Sequence, residues 1–82
     1  MDTNILYEKI YNGLLKMSKE YSVEKVEEIY IVLNIDKDIK EKDLMRYLKS
    51  KNASLFQDLE KIEITKEETE MITAIITNIK GR

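Results

Sequence analysis

No proline interrupts the 82 residues of this chain. A proline inside a helix removes a hydrogen bond and clashes with the preceding turn, so nothing in the sequence forbids helix anywhere. Apolar residues recur at three- and four-residue steps over most of the length, the rhythm of segments that each bury one stripe. The sequence therefore predicts an all-α fold, an antiparallel up-and-down four-helix bundle spanning residues 1–82 as a single domain. Cysteine and histidine are absent too. Their absence excludes a disulfide framework, thiolate or imidazole metal sites, and Cys-His catalysis, and it leaves apolar packing to hold the fold together.

The first helix is marked by Leu6, Ile10, Leu14, Met17 and Tyr21, with Tyr7, Tyr11 and Leu15 widening the face and Thr3 or Asn4 as its cap. The rhythm passes straight through Asn12-Gly13, so Gly13 reads as tolerated within the helix at a cost of about 1 kcal/mol. Ser22 precedes Val23, Val26, Ile29, Tyr30 and Leu33 as the cap of a second helix ending near Asn34. Asn34 to Asp38 form a polar connector. Asp38 with Glu41 then resembles a capping box for a third helix that buries Leu44, Met45 and Leu48 and, continuous or with a single kink at Ser50–Ser54, also Leu55, Phe56 and Leu59. Ile62 and Ile64 alternate with Glu63 as a short extended crossing with no strand to pair with. Thr65-Lys66-Glu67-Glu68 is the strongest local signal, a capping box for a fourth helix over residues 66–79 that carries Met71, Ile72, Ile75, Ile76 and Ile79.

Candidate chemistry is sparse. Asp36, Asp38, Glu41 and Asp43 hint at a calcium loop, but counting from Asp36 puts Glu41 where such a loop needs glycine and Tyr47 where it needs a bidentate glutamate. The acidic groups Glu27-Glu28 and Glu67, Glu68 and Glu70 read as solvated helix faces, and with glycine only at positions 13 and 81 there is no phosphate-binding loop. No catalytic residue, metal ligand or cofactor is expected, and the chain is read as not an enzyme. Lys37, Lys40, Lys42, Arg46, Lys49 and Lys51 raise a helix-turn-helix reading. Interspersed acids and a total of fourteen basic against sixteen acidic residues disfavour nucleic acid as a partner. The longest apolar run, Ile29 to Leu33, is far shorter than the roughly 18 to 20 residues of a membrane span, and the N-terminus shows no signal peptide, so a cytoplasmic location is expected. Thr65, Thr69, Thr73 and Thr77 recur every fourth residue as an uncharged strip beside the last helix. Thr69, Thr73 and Thr77 with Lys80 and Arg82 are the candidate partner-binding residues.

The four-helix pattern, the segment from Lys61 to Ile76 and the stretch Ile5-Leu6-Tyr7-Glu8-Lys9-Ile10-Tyr11-Asn12 resemble the immunity proteins of class IIa, pediocin-like bacteriocins. That resemblance implies a cytoplasmic Gram-positive protein, peripheral at the inner membrane face, that protects its producer by stoichiometric binding at a membrane permease with bound bacteriocin. The chain departs from the family by stopping at Lys80-Gly81-Arg82, where members usually continue in a tail. The competing expectations are a small helical protein-protein interaction module or phage-derived regulatory protein, and behind these a helix-turn-helix DNA-binding protein.

Overall fold

The computed structural model describes residues 3–68 and 74–82. Its elements are helix α1 (Thr3–Glu20), strand β1 (Val26–Asn34), helix α2 (Glu41–Lys51), helix α3 (Ala53–Phe56), strand β2 (Lys61–Glu67) and strand β3 (Ala74–Gly81). The strands form a mixed sheet in the order β2-β1-β3, with β1 parallel to β2 and antiparallel to β3. The protein is thus an α/β fold and not an all-α four-helix bundle.

The second predicted helix is β1, the central strand. Val26, Ile29, Tyr30 and Leu33 satisfy a helical period, but Ile29, Ile31 and Leu33 are all buried while Glu28, Tyr30 and Val32, each one residue before them, are half-buried. That alternation is the period of two of a strand with one face packed and one open. The β-branched residues of this run favour the pleated conformation, and strands on both sides satisfy its main chain. Loss of this helix also removes the helix-turn-helix, since α2 follows a strand. Ile62 and Ile64 do have a partner, pairing with Ile29 and Ile31 of β1. A parallel partner requires a long crossover, and residues 35–60, containing α2 and α3, provide it.

The fourth predicted helix is overturned at both of its described ends. Thr65 lies within β2 opposite Val32, so it caps nothing, and residues 74–79 belong to β3. Residues 69–73, with Thr69 and Thr73, lie outside the described residues. Since the bundle is what the pediocin-like resemblance chiefly rested on, the structure gives bacteriocin immunity no support.

The first helix stands as expected, unbroken at Gly13, with Thr3 and Asn4 already inside it. It ends in a Schellman arrangement: Val23 N–H donates to Ser18 O at 2.8 Å and Ser22 N–H to Lys19 O at 3.3 Å. Ser22 therefore terminates α1, with a left-handed φ of 56°, and does not cap a second helix. The third predicted helix is split. Lys40, not Asp38, stands at the N-cap of α2, and Asn52 breaks the helix, its side chain accepting from Leu55 N–H at 3.1 Å to start α3.

The core lies between one face of the sheet and the helices. Leu14 from α1, Val26, Ile29 and Leu33 from β1, Leu44 and Leu48 from α2, and Phe56 from α3 are fully enclosed there. Tyr7 packs on Tyr47 with ring centroids 5.2 Å apart and Tyr11 on Phe56 at 6.3 Å, tying α1 to the crossover helices.

Candidate protein-binding face

Among the described residues, no helix covers the opposite face of the sheet. Because side chains alternate along each strand, register fixes what this face displays. One cross-strand row is Lys61, Glu28 and Lys80; the next is Glu63, Tyr30 and Asn78; the third is Thr65, Val32 and Ile75. Tyr30 is at the centre. The Lys61 and Lys80 ammonium groups stand 5.4 and 5.7 Å from its ring centroid, one from each flanking strand. Its hydroxyl donates to Glu28 Oε1 at 2.5 Å, two residues earlier on the same strand. Both cations are attracted by the ring face, and Glu28 between them offsets their mutual repulsion. Val32 and the exposed Ile75 continue the row beyond Tyr30, so an apolar centre is bordered by charged groups of both signs.

Of the residues singled out in the sequence, Lys80 belongs to this face. Thr77 sits at an irregularity between the pairs Tyr30–Asn78 and Ile31–Ile76, where β3 holds one residue more than β1. Its hydroxyl donates to Tyr30 O at 3.2 Å, so it pins the bulge. Arg82 is engaged within the molecule, its Nη2 standing 2.6 Å from Asp58 Oδ2, and this hydrogen bond raises the guanidinium pKa above its ordinary value. The Arg82 carbonyl also accepts from Glu24 and Lys25 N–H. Thr69 and Thr73 lie outside the described residues. The two described threonines of the expected strip, Thr65 in β2 and Thr77 in β3, lie on different strands and not on one helix.

Sequence reasoning missed Tyr30, Val32, Lys61 and Ile75 as neighbours, because a face built across three strands has no local spacing. The usable signal was Tyr30 between Ile29 and Ile31, the alternation of a strand. Among the acidic residues that suggested calcium, Asp38 accepts from Lys66 Nζ at 3.2 Å and Asp43 lies 3.6 Å from Arg46. Among the described residues no group of carboxylates is arranged to hold a metal ion, and no helix is long and apolar enough to cross a membrane. No protein-family model and no curated protein matches this chain.

Proposed function

We propose that the protein is a binding module that associates stoichiometrically with another protein through the open sheet face centred on Tyr30. The observation that carries this reading is the arrangement of that face: an aromatic residue held between two lysines, with Val32 and Ile75 beside it and charges of both signs at the margin. Protein interfaces combine an apolar, aromatic centre with a polar rim, and energetic anchors are enriched in tyrosine. The same face disfavours nucleic acid as the partner. Glu28 and Glu63 share it with Lys61 and Lys80, so a phosphate backbone would meet as many carboxylates as ammonium groups. The reading retains the expected protein partner and drops the toxin-receptor assignment.

The experiment compares the wild-type chain, a face variant (Tyr30→Ala with Lys80→Glu) and a variant on the far side of the molecule (Lys49→Glu), each immobilised and exposed to extract of the source organism. A protein retained in molar proportion by the wild type and by Lys49→Glu, but lost from the face variant, is the expected result. Amide shifts induced by that purified partner should then map to β1, β2 and β3. Shifts confined to α2, or equal retention by the folded face variant, refute the assignment.

A further inference from the structure

The two edges of the sheet differ. β2 exposes Lys61, Glu63, Lys66 and Glu67 along one edge, the charge density that discourages a foreign strand from pairing. β3, at the other edge, has Lys80 as its one charge among Ala74, Ile75, Ile76, Thr77, Asn78 and Ile79. Between β3 and α1 lies a cavity of about 240 Å³, lined by Leu6, Lys9, Ile10, Gly13, Ala74 and Ile76. Gly13 keeps it open on the helix side, since a Cβ there would stand 2.9 Å from Ile76 Cδ1. Lys9 contributes a cation to this otherwise apolar lining. It is exposed, and none of the three ion pairs among the described residues involves it.

Among the described residues, an edge strand with no further strand beside it, an apolar recess next to it and a cation in no ion pair at the recess make a recognition unit of known physical type. Main-chain hydrogen bonds to an added strand give affinity, and the recess and the charge select the side chains. We propose that this groove binds an extended peptide that adds a strand to the free edge of β3, seats one aliphatic side chain between Ile10, Gly13 and Ile76, and places a carboxylate against Lys9. The cavity is below the ~300–1,000 Å³ of sites that enclose a small organic ligand, and it suits a single side chain. A second copy of the chain fits less well. Its β3 offers lysine and no carboxylate to Lys9. The site is separate from the Tyr30 face and does not depend on it.

The test uses fluorescent octapeptides of alternating valine and threonine with one leucine, read by anisotropy. One arm ends in a free carboxylate beside the leucine. A second is amidated and carries glutamate beside the leucine. A third is amidated and uncharged, and a fourth has proline at alternate positions. Binding by the first or second arm, with a Kd on the order of 10–100 μM, is expected, and the comparison shows whether a chain end or a side chain supplies the carboxylate. The uncharged and proline peptides should bind at least about tenfold more weakly, the first for want of the carboxylate and the second for want of main-chain donors. Lys9→Glu should weaken the acidic arms about tenfold or more and leave the uncharged arm unchanged. Gly13→Leu should abolish binding, with Gly13→Ala as a milder variant that narrows the groove while preserving the helix. Tyr30→Ala with Lys80→Glu should still bind, so failure here is distinct from failure at the open face. No binding by either acidic arm to folded protein overturns the proposal. So does equal binding of all four arms, or a concentration-dependent dimer abolished by Gly13→Leu, which would make the occupant a second copy.

Discussion

Substitution of Gly81 by alanine should be among the most damaging small changes possible in this molecule. The position pairs with Val26, where β3 comes closest to the chain entering β1, and an added Cβ would lie 1.9 Å from Lys25 O, 2.9 Å from Lys25 C and 2.9 Å from Val23 Cγ1. Ordinary contact begins near 3.4 Å, and the opposing atom is main chain, so no side-chain rotation relieves the clash. One strand must move by on the order of 1.5 Å, a displacement that N–H···O bonds do not survive. The bonds at risk are Arg82 N–H to Lys25 O at 3.0 Å, and Glu24 and Lys25 N–H to Arg82 O, both at 2.9 Å. At about 0.5–1.5 kcal/mol each, the loss of all three amounts to roughly 1.5–4.5 kcal/mol. That lowers Tm by on the order of 10–25 °C for a domain of this size. The assay is urea and thermal denaturation followed by circular dichroism. Gly13→Ala serves as the control, because its Cβ meets only the end of the Ile76 side chain. That variant should be neutral, or gain up to about 1 kcal/mol of helix propensity. A loss below about 0.5 kcal/mol for Gly81→Ala would refute the claim that its missing side chain is what lets the strands approach.

Ser22→Gly should stabilise the fold by about 1 kcal/mol, because glycine removes the steric cost of the left-handed C′ position, and an unchanged urea midpoint would count against the Schellman ending of α1. Asn52→Ala should cost about 1 kcal/mol by leaving Leu55 N–H without its side-chain acceptor, read as a lower midpoint at unchanged slope. Burial, with a smaller contribution from Asp43, raises the Tyr7 pKa above its ordinary 10.0, so the fold favours the neutral phenol. The stability this provides is complete below about pH 10 and is lost as pH rises through the folded value, so denaturation midpoints from about pH 8 to 11 should fall more steeply for wild type than for Tyr7→Phe.

Where the chain was legible, a single element carried its own signal. Leu6, Ile10 and Leu14 define α1 without help, and Leu44 and Leu48 define α2, because each side of those stripes is settled within a few turns. The sheet was not legible in that way. In β1 the alternation of Ile29, Ile31 and Leu33 is masked by Tyr30 and Val32, which give the open face apolar members too, so the run looks uniformly apolar and fits either period. The capping signature at Thr65 misled for a different reason. A cap stabilises a helix that forms for other reasons, and the β-branched residues downstream, Ile75, Ile76, Thr77 and Ile79, favour a strand. Thr77 and Arg82, candidates for partner binding in the sequence, engage Tyr30 O and Asp58, groups far away in sequence that no spacing reveals. Of the described candidates, Lys80 lies on the proposed face.

The central position of β1 has a cost in time. It is made early, yet both of its neighbours come from the last part of the chain, so its Ile29 to Leu33 run leaves the synthetic machinery with neither edge occupied. At ~5–20 residues per second, the roughly fifty residues from Leu33 to Gly81 correspond to some 2–10 s before the final strand exists. In that interval α1 can form at once and α2 soon after, while the most aggregation-prone stretch waits for contacts of long sequence separation, which are slow to close. Host factors that shield nascent apolar segments should therefore matter to the soluble yield of this chain. Conditions that slow elongation should prolong that exposure and lower the soluble fraction.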